Sequence, residues 1–241
     1  MRTPNIPVAL SGQILLNVKM GEATKSIEYS LEKLDIGDLT GSLLNDNIKK
    51  VFWINIYNAY FQILSVREKK AKPVIFTQKL ISIAGRKFSL DDIEHGILRK
   101  YRWKFSLGYL PQLFPSSLIK QMAVSVIDYR IHFALNCGAK SCPPIAIYKV
   151  DSIDKQLDLA TQSFLDGETV VDEEKRTVMV TKLMQWFKAD FGGKLGIIRV
   201  VSKYLKRDFT NYTIIYKKYE WDVQLENFTE ELHLGISPMY I

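Results

Sequence analysis

Cysteine and histidine are scarce in this chain: two and three among 241 residues. Two cysteines cannot build the disulfide framework of a small secreted domain. They are either free thiols or the ends of a closed loop from Cys137 to Cys142, and a reducing compartment favours free thiols. No apolar run approaches the ~20 residues of a membrane span. Residues 1–25 lack the continuous apolar core of a signal peptide, so a cytoplasmic location is the expectation. Long linkers, repeats and low-complexity tracts are also missing. That favours one domain over several, with residues 1–45 as a helical extension packed on a body formed by 46–241.

What is present is an ordinary globular composition, 47% hydrophobic and 24% charged, with a formal net charge of +7. Cations gather at Arg67–Lys72, Arg99–Lys104, Lys203–Arg207 and Lys217–Lys218. Acidic partners are compatible with this charge. No zinc finger or other nucleic-acid motif accompanies it, so nucleic-acid binding is not expected. The pattern predicts an α+β fold, rich in helix, with small antiparallel sheets.

Residues 11–35 carry apolar positions at mixed spacing and predict one or two amphipathic helices broken near Gly21. Residues 46–67 predict a long helix that is apolar nearly all round, hence buried. One stripe on it is polar but uncharged: Asn55, Asn58, Gln62 and Ser65. Buried amides need partners, and two readings follow. The amides tie loops to the core, or Asn55 and Asn58 face a site and orient a ligand or catalytic group.

After Pro73, Ile75–Phe88 predicts short strands turning at Ala84-Gly85-Arg86. Ser89–Arg102 predicts a helix capped by Ser89, with Asp91 and Asp92 at its positive end. Glu94 falls beside the apolar stripe, where a carboxylate needs a cation or several donors. His95 falls on the other side and reads as a surface histidine or a site residue. Gly96 costs about 1 kcal/mol in a helix interior, which suggests close approach of another backbone.

Pro-containing residues 105–127 lead to a helix near Ser116–Val126. Tyr129–Leu135 alternates like a buried strand, with Arg130, His132 and Ala134 on one face. Asn136-Cys137-Gly138 and Pro143-Pro144 break it. Downstream, the pattern predicts helices at Asp151–Asp166, Lys182–Asp190 and Leu195–Leu205. It also predicts a hairpin at Thr169–Val180 and an aromatic extended segment at Tyr212–Trp221. His233 reads as a surface residue.

The chemistry-bearing residues are then His132, Cys137, Cys142 and His95, with Glu94, Asn55 and Asn58 as orienters. A thiol attacks as thiolate and needs a base or a positive field beside it. Histidine supplies the base, and an amide or carboxylate oxygen fixes its tautomer. A small buried hydrophobe is the plainer role for a cysteine. Zinc held by His132, Cys137, Cys142 and His95 is a further alternative, although C-x4-C is wider than the usual knuckle.

FWINIYNAY, FSLDDIEHGILRK and DYRIHFALNCGAKSCPP resemble the domain-of-unknown-function 547 family, as do LMQWFKADFGG and YKKYEWDVQLEN more weakly. The resemblance runs from about residue 51 to 226. Tyr129 stands where the family more often has Pro. The resemblance implies a single domain and no known substrate. Its motif residues fall on Trp53, Asn55, Tyr57, Asn58, Glu94, His95, Arg99, Arg130, His132, Cys137 and Cys142. A distant likeness to papain- or transglutaminase-type folds would place the cysteine at a helix head, whereas Pro143-Pro144 follows Cys142.

The leading expectation is a thiol-dependent hydrolase or acyl transferase. Cys142 is its nucleophile, His132 its base, His95 the alternative base, and Asn55 or Glu94 the orienter. Asn58, Tyr57, Trp53, Arg99, Arg130 and Cys137 are expected to contact substrate. The competing expectation is a noncatalytic pocket for a peptide or small ligand, lined by Asn55, Asn58, His95 and Arg130. No cofactor, bound metal or membrane span is called for.

Overall fold

A computed structural model describes residues 5–70 and 72–229; the expectation for His233 lies outside them. Three short helices open the chain: α1 (Ile6–Lys19), α2 (Lys25–Glu32) and α3 (Ile36–Ser42). The break between the first two falls at Gly21, whose φ of 71° suits glycine. Their apolar faces (Ile14, Leu15, Leu31, Leu39) join one core with α4 (Asp46–Gln62).

Helix α4 is the axis of that core. Asn45 caps it by accepting from the Ile48 amide, and Asp46 accepts from the amides of Ser125 and Val126. Every residue from Lys50 to Gln62 is buried. A single π-helical turn, Ile63–Arg67, continues it. Polar Asn55, Asn58 and Gln62 sit inside the core because each holds a loop. Asn55 exchanges two hydrogen bonds with the backbone of Tyr148, both 3.0 Å. Asn58 donates to the Ala134 carbonyl and accepts from the Asn136 amide. Gln62 accepts from the Glu226 amide.

Helix α5 (Val74–Thr77) precedes a hairpin, β1 (Ile81–Ile83) with β2 (Arg86–Phe88). Its turn is Ala84-Gly85, both at positive φ, and it docks on the end of α2 through two backbone bonds. The helix expected after Ser89 forms as a π-helix, Asp92–Leu98. Ser89 and Asp92 cap it reciprocally, as a capping box does. Gly96 faces a side chain rather than a backbone: a Cβ there would lie 3.1 Å from Ile119 on α6 (Ser117–Met122).

Tyr129–Leu135 is not a strand. Tyr129–Phe133 is a 3-10 helix. The Asp128 carboxylate accepts from the Arg130 amide and is gripped by the side chains of Arg130 and Lys50. Residues 131–136 are buried on all sides, so their alternation carried no information about which face was inside. Cys142 heads no helix; it lies in a loop that runs to the 3-10 turn Val150–Ser152. The papain-like placement is therefore absent.

The C-terminal half comprises α7 (Ile153–Glu168), β3 (Val170–Asp172), β4 (Thr177–Val180), α8 (Leu183–Trp186), α9 (Gly193–Tyr204) and β5 (Thr213–Tyr216). Strands β3 and β4 pair antiparallel, but β5 joins β4 in parallel, so this sheet is mixed. The helix expected over Lys182–Asp190 ends at Trp186. A second core gathers Phe133, Ala139, Cys142, Val178, Val180 and the inner face of α9. The whole is an α+β domain of two adjoining hydrophobic clusters. No helix among the described residues is long and apolar enough to cross a membrane.

Candidate functional site

A cavity of about 210 Å³ is lined by residues of both cores. α4 contributes Tyr57, the π-helix Glu94 and His95, the 3-10 helix His132, and the loop after it Cys137 and Cys142. The opposite wall is Trp186, Phe187, Tyr219 and Trp221. A larger open depression, about 460 Å³, lies among Arg199, Lys203, Lys206 and Arg207. It holds no thiol or imidazole.

The π-helix brings Glu94, His95 and Arg99 inward together. Arg99 is fully buried. It pairs with Asp190 through Nε at 2.6 Å and Nη2 at 3.2 Å, and its Nη1 donates to His95 Nδ1 at 2.9 Å. A guanidinium only donates, so His95 Nδ1 accepts and its proton sits on Nε2. Burial, with Arg99 beside it, pushes His95 down to about 3. His95 is thus a neutral donor and not the alternative base.

His132 stacks on Phe187 at 3.9 Å between ring centroids. Its Nε2 meets Asp190 Oδ2 at 2.9 Å, and its buried Nδ1 has no partner. Burial lowers the imidazole below its ordinary value, against the pull of Asp190. Asp190 stays ionised: burial raises it, but His132 and Arg99 outweigh that and lower it. The outcome is a neutral ring with its proton toward Asp190 and a free lone pair on Nδ1.

Both cysteines are free thiols, with sulfurs 2.6 Å apart. The Cys137 amide donates to Cys142 Sγ at 3.1 Å, and the Tyr219 hydroxyl lies 3.4 and 3.2 Å from the two sulfurs. Their titrations diverge. A hydrogen bond from Cys142 holds Cys137 well below the usual thiol range, against burial and aided by Tyr219 and Lys72. Burial pushes Cys142 far up. Both sulfurs line the cavity, and Cys137 is the more accessible of the pair; the nucleophile expected from the sequence is its neighbour Cys142. Among the described residues no hydrogen bond joins either sulfur to an imidazole.

Glu94 is half-buried and raised by desolvation, and its Oε2 accepts from Tyr57 Oη at 3.2 Å. It does not touch His132 through a hydrogen bond. The orienting role falls instead to Asp190, which lies just before Gly192-Gly193; its only sequence signal was a carboxylate within the weakly resembling segment LMQWFKADFGG.

Five expected site residues do not line the cavity. Asn55 and Asn58 are engaged with loop backbone, so neither orients an imidazole nor meets a ligand. Trp53 is fully buried against Phe52 and Phe88. Arg130 binds Asp128, Asp154 and Asp158. Arg99 reaches the site only through His95 and Asp190. No group of three or more His, Cys, Asp or Glu among the described residues is arranged to hold a metal, so the zinc set of His95, His132, Cys137 and Cys142 does not assemble.

A family model described as "Protein of unknown function, DUF547" matches residues 42–165, just over half of the chain. No curated protein and no solved structure matches.

Proposed function

Since the chain belongs to the DUF547 family, whose description names no activity, we propose from the geometry that it is a thiol-dependent acyl hydrolase or transferase. The observation that carries this reading is the unpaired, buried Nδ1 of His132 on the same cavity as the thiol of depressed pKa, Cys137. A carboxylate fixes the tautomer that leaves Nδ1 as acceptor, the arrangement a general base requires.

Cys137 Sγ attacks the acyl carbon of a thioester or amide, forming an acyl-cysteine and expelling the leaving group. A thiolate leaves unaided; an amine needs a proton, which the Cys142 thiol can supply. A water or acceptor hydroxyl then gives its proton to His132 Nδ1 as its oxygen attacks the acyl-cysteine. Collapse releases the acid or ester and restores the Cys137 thiolate, and the imidazolium gives its proton back to the departed thiolate or, on the amide route, to Cys142. Asp190 stabilises the imidazolium formed in that step. The gap between sulfur and imidazole is where the acyl group would lie.

The small, largely apolar cavity also supports a second reading, binding without turnover, because no sulfur–imidazole hydrogen bond is preformed.

A chromogenic thioester and an activated ester, followed with mass analysis of the protein, separate the two. Cys137→Ala is expected to abolish acylation and release. His132→Ala is expected to slow release by about 10²-fold or more and to accumulate acyl-Cys137. Cys142→Ala is expected to retain acylation. Turnover that survives in Cys137→Ala, or none above background in the unaltered protein, rejects the catalytic reading.

A further inference from the structure

Residues 103–114 (WKFSLGYLPQLF) form a loop whose large apolar side chains face outward. Trp103, Phe105, Tyr109 and Leu110 are all exposed, and at the tip Leu113 and Phe114 are 86% and 93% exposed. Scattered exposed apolar residues are normal; a contiguous set marks an interaction surface.

The loop is built rather than loose. The Trp103 amide donates to the Leu110 carbonyl, Gln112 to Tyr101, and Tyr109 to Ser106. The Ser106 hydroxyl donates to Trp103 and accepts from the Leu110 amide. The amides of Trp103, Ser106, Tyr109, Leu110 and Gln112 are thus paired within the loop or at its base, which fixes its shape while the apolar side chains point outward. Each amide so paired lowers the cost of meeting an apolar medium.

Charge narrows the occupant. From His95 to Ile127 there is no Asp or Glu, whereas Arg99, Lys100, Arg102, Lys104 and Lys120 are present. Arg99 is buried in the site, and Lys104 reaches Asp91; Lys100, Arg102 and Lys120 flank the loop. Aromatic and leucine side chains protruding between cations suit the boundary of headgroups and acyl chains in an anionic bilayer. A protein partner would call for a shaped socket around two nearly free-standing side chains.

We propose that the loop Trp103–Phe114 docks this protein on an anionic phospholipid surface. The underside of the loop lies against the site. The Leu107 carbonyl accepts from the Ala189 amide. Gly108, at φ 84°, lies so close that a Cβ would come within 2.5 Å of Asp190 and 2.8 Å of Arg99. Docking there would set the buried Asp190–Arg99 pair, which holds His132 and His95, just behind the membrane surface. The proposal stands on the loop and holds whether or not the cavity is catalytic.

The experiment is co-sedimentation of the full chain with vesicles of phosphatidylcholine alone or mixed with phosphatidylglycerol. Binding to the mixed vesicles is expected, weakened by salt. It is expected to fall at least about tenfold in Leu113→Ser/Phe114→Ser, since each side chain buries a full apolar surface in lipid. Both positions are nearly free of contacts, so thermal melting should be unchanged. Failure to bind mixed vesicles, or equal binding by the double variant, overturns the proposal. So does a dimer in sedimentation velocity that the same variant dissolves, which would identify a second copy as the occupant.

Discussion

Asp190 holds two partners at once, the Arg99 guanidinium and the His132 ring, and each would be unsatisfied without it. Removing one partner of a buried ion pair leaves an uncompensated charge, at a cost of about 3–5 kcal/mol. Asp190→Asn is expected to lower unfolding free energy at the low end of that range, read by urea denaturation, because the amide oxygen still accepts one bond. The same variant should leave Cys137 reactive. Iodoacetamide alkylation of Cys137 is expected to rise with pH to a midpoint below the ~8.5 of an ordinary thiol, in both the unaltered protein and Asp190→Asn. A midpoint at or above that value would mean that Cys142 and Tyr219 do not stabilise the thiolate. The thiols and imidazoles of the site were legible as the rarest reactive side chains. Asp190 was not, because one aspartate among 26 acidic residues shows its role only through what it touches.

At the scale of elements, α4 was legible from its nearly continuous apolar circumference, and its amide stripe was legible as buried. Which groups the amides meet was not, since their partners at 134, 136, 148 and 226 lie far along the chain. Asn58→Ala would strand the Ala134 carbonyl and the Asn136 amide in the core. It is expected to cost about 2–6 kcal/mol, counting roughly 1–3 for each unsatisfied group, measured by denaturant unfolding. A milder result would mean that water replaces the amide. The cap at Ser89 and the apolar positions after it predicted a helix, and one is there. Its π geometry was not legible, because i and i+4 spacing does not reveal an i+5 hydrogen bond such as Arg99 N–H to Glu94. The 3-10 helix at Tyr129–Phe133 was hidden for a different reason: its Asp128 cap closes locally on Arg130, but the Lys50 that holds the same carboxylate comes from 78 positions away.

For the molecule as a whole, that charge cluster governs stability in acid. Burial acts to raise Asp128, but hydrogen bonds from Arg130 and Lys50 prevail and hold it at about 2. Its folded value lies below the unfolded ~3.9. It therefore stabilises the fold above that pH and ceases to do so as pH falls toward 2, a loss on the order of 2 kcal/mol. His95, depressed to about 3 by burial, and His132, lowered by burial as well, act earlier. The unfolded chain protonates both rings near pH 6.5 and the folded one does not, so stability declines from there downward. Urea midpoints are expected to fall in two stages, with Asp128→Asn flattening only the lower one. A single step below pH 4 would show that neither ring is buried neutral.

The last described segment closes the molecule on itself. Val223 pairs with Ala139, the Gln224 amide donates to Gly138, and Phe228 pairs with Ile145. The Thr229 carbonyl accepts from Lys19 on the first helix. A fragment trimmed to the family-matched residues 42–165 would keep both sulfurs and both imidazoles yet lose Asp190, the aromatic wall and this strap. The candidate site therefore extends beyond the family-matched segment, and a fragment intended to keep the cavity intact has to carry the chain through at least Thr229.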